Sequence, residues 1–233
     1  MKMKFVRFFL YALITLLCII GALVACGSIV SDDETETIEQ TQSNQPQQQE
    51  TQKREEYVPA ETIVFSGVGD DVIDIPLLDY FYVFHISGNK DEHHFSVKSY
   101  DSAGNYNELL VNTTDPYDGV TYDMAQNAVL LEISAVGEWT IELVDAATLK
   151  DVAAGSSISG SGDAVFLVSG GKTADIKGNA NASHFAVKSF SGYGDYLDLL
   201  VNTTDPYEGK VMLKDSPRLI VVTADGDWSI TVN

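Results

Sequence analysis

The nine residues Leu109–Tyr117, LLVNTTDPY, occur a second time, letter for letter, as Leu199–Tyr207. The flanking segments keep step with them. His94-Phe95-Ser96-Val97-Lys98-Ser99-Tyr100 answers His184-Phe185-Ala186-Val187-Lys188-Ser189-Phe190, and Gly137-Glu138-Trp139-Thr140-Ile141 answers Gly226-Asp227-Trp228-Ser229-Ile230. Further upstream, Phe65-Ser66-Gly67-Val68-Gly69-Asp70 matches Ile158-Ser159-Gly160-Ser161-Gly162-Asp163. A solenoid unit repeats every 20–50 residues or so. A period near 90 residues instead predicts one small domain built twice.

Within each copy, short alternating apolar runs are broken by Gly, Asn and Asp at the spacing of an antiparallel sandwich or barrel. The expected strands of the first copy start near Thr62, Asp71, Tyr80, His93, Glu108, Val120, Val129 and Glu138. Phe95 and Val97 face one way and Ser96 and Lys98 the other, as a half-buried strand requires. Trp139, Ile141 and Leu143 give the last strand an inward face, which Trp228, Ile230 and Val232 repeat. The indoles read as core anchors. The expected fold is all-β: two tandem antiparallel sandwiches, at 59–147 and 151–233, joined by a helical turn somewhere in 145–154. The second copy is expected to run to Asn233, and no catalytic domain is expected beside the two sandwiches.

The N-terminal part differs in kind. Lys2, Lys4 and Arg7 precede an apolar run from Phe8 to Ile20 and the sequence Leu23-Val24-Ala25-Cys26. This has the layout of an export signal over 1–25, and its end resembles the lipobox of bacterial lipoproteins. That resemblance implies a diacylglycerol thioether on Cys26, which would fix the chain in the bilayer on its extracytoplasmic face. The only other cysteine, Cys18, lies within the signal, so no disulfide is expected. Residues 26–58 are rich in Gln, Thr and acid, with too little apolar surface to offset the entropy of ordering. They read as a flexible tether with an r.m.s. span of about 30 Å.

Charge narrows the choice of partner. The net charge is −20, and losing the three basic residues of the signal leaves 11 basic against 34 acidic residues. Such a surface repels nucleic acid and anionic lipid and suits cations or a basic partner.

Asn112, Asp115 and Asp118 in the first copy, with Asn202, Asp205 and Glu208 in the second, offer hard oxygens for Ca²⁺. The same Asn, Asp, Pro and Gly types equally build a turn. No other cofactor is implied. His93 and His94 are adjacent and would face opposite sides of a strand, which argues against a shared metal. Gly171-Lys172-Thr173 lacks the first glycine of a phosphate loop, because that position is Phe166. No serine, histidine and acid are spaced as a catalytic set, so no enzyme is expected.

The copies disagree most where Tyr80–Ile86 faces Gly170–Ile176. There Phe81, Val83 and His85 are expected to point outward, where copy two has Gly171, Thr173 and Asp175. Such an exposed patch marks either packing between the copies or a surface for a ligand or partner.

Over residues 60–233 the S-G-x-G-D, H-F-x-V-K-S, L-L-V-N and G-[ED]-W-[TS]-I motifs resemble jelly-roll-like sandwich repeats of exported Gram-positive proteins, including the pre-peptidase C-terminal kind. The resemblance implies an accessory role without catalytic residues. The expected function is a membrane-anchored binding or adaptor module for a glycan or protein at the cell surface. The alternatives are a structural or stress-response envelope protein without a ligand, and a calcium-stabilised carbohydrate-binding module.

Overall fold

The computed structural model describes residues 57–192 and 194–233. Cys26, the signal and the tether up to residue 56 lie outside them. Repeat one consists of β1 (Ile63–Val68), β2 (Asp71–Asp74), β3 (Tyr82–Gly88), β4 (Phe95–Tyr100), β5 (Tyr106–Thr113), β6 (Tyr117–Thr121), β7 (Leu130–Ser134) and β8 (Glu138–Asp145). A single 3₁₀ turn, Ala146–Thr148, and the short β9 (Asp151–Ala153) follow. Repeat two is β10 (Ser157–Ser161), β11 (Ala164–Ser169), β12 (Thr173–Gly178), β13 (Phe185–Ser191), β14 (Tyr196–Thr203), β15 (Tyr207–Met212), β16 (Arg218–Ala224) and β17 (Asp227–Val232).

The strands form four sheets. Sheet I has the order β1-β8-β3-β6 and sheet II the order β2-β7-β4-β5; together they enclose the core of repeat one. Sheet III (β14-β13-β16-β11-β9) and sheet IV (β10-β17-β12-β15) do the same for repeat two. Every pairing is antiparallel except β9 on β11. The all-β tandem sandwich expected from the alternation is what forms. The helical turn expected in 145–154 forms as Ala146–Thr148; the unexpected element is β9, whose three residues add a parallel edge to sheet III.

The repeated motifs explain themselves as packing. Trp139 and Trp228 fill equivalent places in the two cores, and each indole N–H donates to a backbone carbonyl, Gly69 at 2.9 Å and Gly162 at 2.8 Å. The first glycine of each S-G-x-G-D motif makes room for the ring. A Cβ on Gly67 would sit 2.3 Å from the Trp139 ring, and one on Gly160 would sit 2.6 Å from that of Trp228. The second glycine takes a positive φ, 78° at Gly69 and 74° at Gly162, which costs glycine alone little. The aspartate accepts the backbone N–H of the facing strand end, Ala135 at 2.9 Å for Asp70 and Ala224 at 2.9 Å for Asp163. Asn89 and Asn179 clamp the duplicated turn, their amides donating at 2.9 Å to the carbonyls of Asp115 and Asp205. β4 with β5 and β13 with β14 share even their register irregularities.

A third apolar cluster joins the two sandwiches. Val83 and Tyr122 of repeat one and Val165, Phe190 and Leu219 of repeat two are buried together, with Val120, Val144, Leu149, Leu167 and Val221 around them. The outer face of sheet I thus packs on the outer face of sheet III, giving the layer order II-I-III-IV. The strand registers show what each repeat changed to allow this. On the face of sheet IV that matches the outer face of sheet I, Thr173 replaces Val83, Lys210 replaces Val120 and Asn233 replaces Val144. On sheet II, which matches sheet III, Glu132 replaces Val221 and Asp74 replaces Leu167. The joined faces are apolar and their outward counterparts polar, as terminal faces of a repeat array need to be for solubility.

Candidate functional site

Asp163 holds the junction between the repeats. Its position is set by the positive φ of Gly162 and the start of β11. One carboxylate oxygen takes the Ala224 N–H within repeat two. The other accepts the hydroxyl of Tyr117 from repeat one at 2.8 Å, and the main-chain carbonyl accepts the N–H of Val120 at 3.1 Å. Tyr117 is held in turn over Gly119, where a Cβ would lie 2.7 Å from the phenol oxygen. Asp70, the counterpart of Asp163, caps its own repeat but has no second sandwich to grip.

Beside this hub lies a cleft of about 690 Å³. One wall is the edge strand β5 from Leu109 to Thr113 and the turn after it, Asp115 to Asp118. The other wall is Ser161–Asp163, His184 and Thr223–Asp225 of repeat two. Asp115, Asp118, Asp163 and Asp225 put four carboxylates around it, and no Lys or Arg lines it. A smaller adjoining cavity of about 80 Å³ continues along β5, lined by Glu108, Leu109 and Leu110 and by Lys188 from the opposite repeat.

The local electrostatics follow from burial. Half-buried Asp163 has its pKa raised above the ordinary carboxylate value by loss of solvation. The Ala224 N–H and the Tyr117 hydroxyl pull the other way without cancelling it, and Asp225 adds to the rise. Glu108 is likewise raised by burial, with Lys188 opposing and Asp123 reinforcing the shift. A carboxyl whose folded pKa exceeds its unfolded one stabilises most below the unfolded value, about 3.9 for Asp, and loses that contribution as pH rises through the folded value. Asp163→Asn keeps an acceptor for Ala224 and offers an amide donor to the Tyr117 oxygen. Its melting temperature relative to the parent should therefore climb between pH 4 and 8. A difference that stays flat across that range in thermal denaturation would show that Asp163 does not titrate there.

The residues singled out from sequence fall in several places. Val83 is fully buried in the junction cluster. Phe81 is 39% exposed, and its ring lies against the β13–β14 turn, where a Cβ on Gly194 would come within 2.7 Å of it. His85 sits between two carboxylates, Asp118 at 2.7 Å and Glu142 at 2.8 Å. Burial opposes its charge, yet the bonds to Glu142 and Asp118 outweigh this and raise its pKa. With both ring nitrogens engaged, His85 has none free to serve as a base. The outward parity of 81, 83 and 85 is thus present, but much of the patch meets repeat two rather than solvent.

The six candidate calcium residues occupy the two duplicated turns. Asn112, Asp115 and Asp118 line the cleft. Asp118 is tied to His85, and Glu208 to Lys177 at 3.0 Å. Asn202 meets His184 at 3.3 Å, while Asp115 and Asp205 take backbone roles, their N–H groups donating to Thr113 and Thr203. Among the described residues, no group of three or more His, Cys, Asp or Glu side chains is placed to hold a metal ion.

Sequence reasoning passed over Asp163, Asp225 and the edge of β5. The readable signal was Asp163 itself, at the end of a duplicated motif whose aspartate has one job in repeat one and two in repeat two.

No family model matches the chain, and no curated protein matches it. Among solved structures, a chain from the work titled "Life in the extremes: atomic structure of Sulfolobus Turreted Icosahedral Virus" is 9% identical, covering 74% of this chain and 90% of that one. Its TM-score is 0.20, so the likeness carries no argument here.

Proposed function

We propose that this chain is a lipid-anchored, non-catalytic binding module that works on the extracytoplasmic face of a bacterial-type membrane and holds a protein partner in the cleft between its repeats. The observation that carries the reading is the cleft: about 690 Å³ at a domain junction, within the volume range of binding sites, edged by four carboxylates and one histidine and lined by no Lys or Arg. A basic protein segment complements it. A glycan suits it less, since Tyr117 is its one aromatic wall and both tryptophans are sealed in the cores. The tether from Cys26 would let the sandwiches stand off the bilayer. The buried junction also favours a second reading, a stiff spacer of the envelope with no ligand.

Pull-down with the immobilised full chain separates the two. A saturable protein partner should be captured, and should be lost when Asp115 and Asp225 are both changed to Lys. Absence of any saturable partner, or capture that ignores the charge reversal, rejects the cleft as the binding site and leaves the spacer.

A further inference from the structure

We infer that the cleft takes its partner as an extended, basic peptide strand added to the free edge of β5. The inference rests on the cleft being a binding site and names the form of what it binds. β5 ends sheet II, pairing with β4 on one side, and among the described residues no strand pairs with its other edge. Leu109, Leu110, Val111, Asn112 and Thr113 all line the cleft in succession. Leu110 is a bulge in the ladder with β4, but from Val111 to Thr113 the side chains alternate between two faces, so three successive residues line one cleft only if the cleft looks onto the strand's edge. What it meets there are backbone N–H and C=O groups, the template for strand addition.

Two further features fit this form. From Val111 to Thr113 the ladder with β4 is regular, the register shifts being confined to the half nearer Tyr106. That straight half lines the larger cleft. The smaller cavity extends the same edge back to Glu108, so the accessible template runs for about 20 Å at strand spacing. Acidic side chains flank it from both repeats, Asp115 and Asp118 on one wall and Asp163 and Asp225 on the other. Main-chain bonds would hold the peptide, and these charges would favour Lys or Arg side chains along it.

The duplication supplies an internal control. β14 carries the same LLVNT as β5 and is likewise a sheet edge, but no other described sandwich stands across from it. If strand addition depended on sequence alone, both edges would accept a peptide. If it depends on the cleft, only β5 will.

The probe is a short capped peptide of alternating lysine and valine, compared with the same peptide N-methylated at every second residue. Charge is unchanged by methylation, while main-chain donors along one edge are lost. Titrated into the full chain, the plain peptide should bind and slow amide hydrogen exchange in Leu109–Thr113 but not in Leu199–Thr203. The methylated peptide should bind about five- to thirtyfold more weakly, as loss of one to two hydrogen bonds of about 1 kcal/mol each implies. Equal binding of both peptides, protection of β14 instead, or no binding at all overturns the strand-addition inference. Capture of a charge-sensitive partner that the peptide does not displace overturns it too, and leaves the cleft reading intact.

Discussion

Trp139→Ala is expected to destabilise repeat one by about 3–5 kcal/mol, the range for emptying a large aromatic site in a core. The indole is 2% exposed and is wedged between sheets I and II. Two costs add to the cavity. The Gly69 carbonyl loses its donor at 2.9 Å, and Gly67, shaped to accept the ring, has nothing to face. Trp228→Ala should do the same in repeat two, where the ring also stacks on Phe166 at 5.9 Å between centroids. The complementary change Gly67→Ala attacks the contact from the other side. Its methyl would overlap the ring, because a Cβ there lies 2.3 Å from Trp139 in a strand whose neighbours are fixed; overpacking of this kind costs about 1–3 kcal/mol. The double variant Gly67→Ala/Trp139→Ala should lose less than the two single losses combined, since the alanine then meets empty space. Urea denaturation of the full-length variants measures all three. A Trp139→Ala loss under about 1 kcal/mol, or strict additivity in the double, would contradict the packing described.

Much of the architecture could be read from the chain because the features that specify it are local. Alternation placed all eight strands of repeat one within a few residues of where they form, from Asp71 and Glu138 at their expected starts to Val120 three residues late. The tryptophans read as core anchors because a large indole on an alternating strand has one apolar side to go to. The pairing of each tryptophan with the G-x-G ahead of it was not legible, since glycine in sequence signals turn freedom as readily as a missing methyl. The β9 edge escaped notice because Asp151-Val152-Ala153 is too short to show alternation. The site was harder still. A cleft between two domains depends on which faces meet, and that is decided by the comparison of Val83 with Thr173 and Val120 with Lys210, not by either copy alone. The patch of Phe81, Val83 and His85 was visible as a difference between copies, yet the same difference serves a partner in another chain or the sister repeat. Burial of Val83 against Phe190 and Leu219 distinguishes them, and only coordinates supply it. Asp163 looked like Asp70 because the second role of the aspartate, accepting Tyr117, comes from a residue 46 positions away.

Val83→Asp should uncouple the repeats while leaving both cores folded. Val83 is fully buried in the junction cluster and belongs to neither repeat's own core, so the substitution strikes the contact between sandwiches directly. The charged neighbours on the outer face of sheet I are His85, already shared by Asp118 and Glu142, and those two acids themselves. An unpaired carboxylate in that setting costs several kcal/mol if kept dry, and separating the repeats lets it reach water. The five buried side chains of the cluster contribute on the order of 10 kcal/mol in gross transfer free energy, part of it offset by ordering the linker. A charge placed at its centre removes most of the net. The parent chain should therefore melt as one transition and Val83→Asp as two, with the Trp139 and Trp228 environments lost at separate temperatures. Val83→Thr, which installs the residue repeat two already carries at this position, should weaken the coupling without abolishing it. Asp163→Ala should act in the same direction by releasing Tyr117, though less strongly because the apolar cluster survives. Loss of the junction should also erase the acidic cleft, so Val83→Asp is predicted to abolish capture of a partner even though no lining residue has changed. A single unshifted transition in calorimetry of Val83→Asp would mean that the cluster does not hold the two sandwiches together.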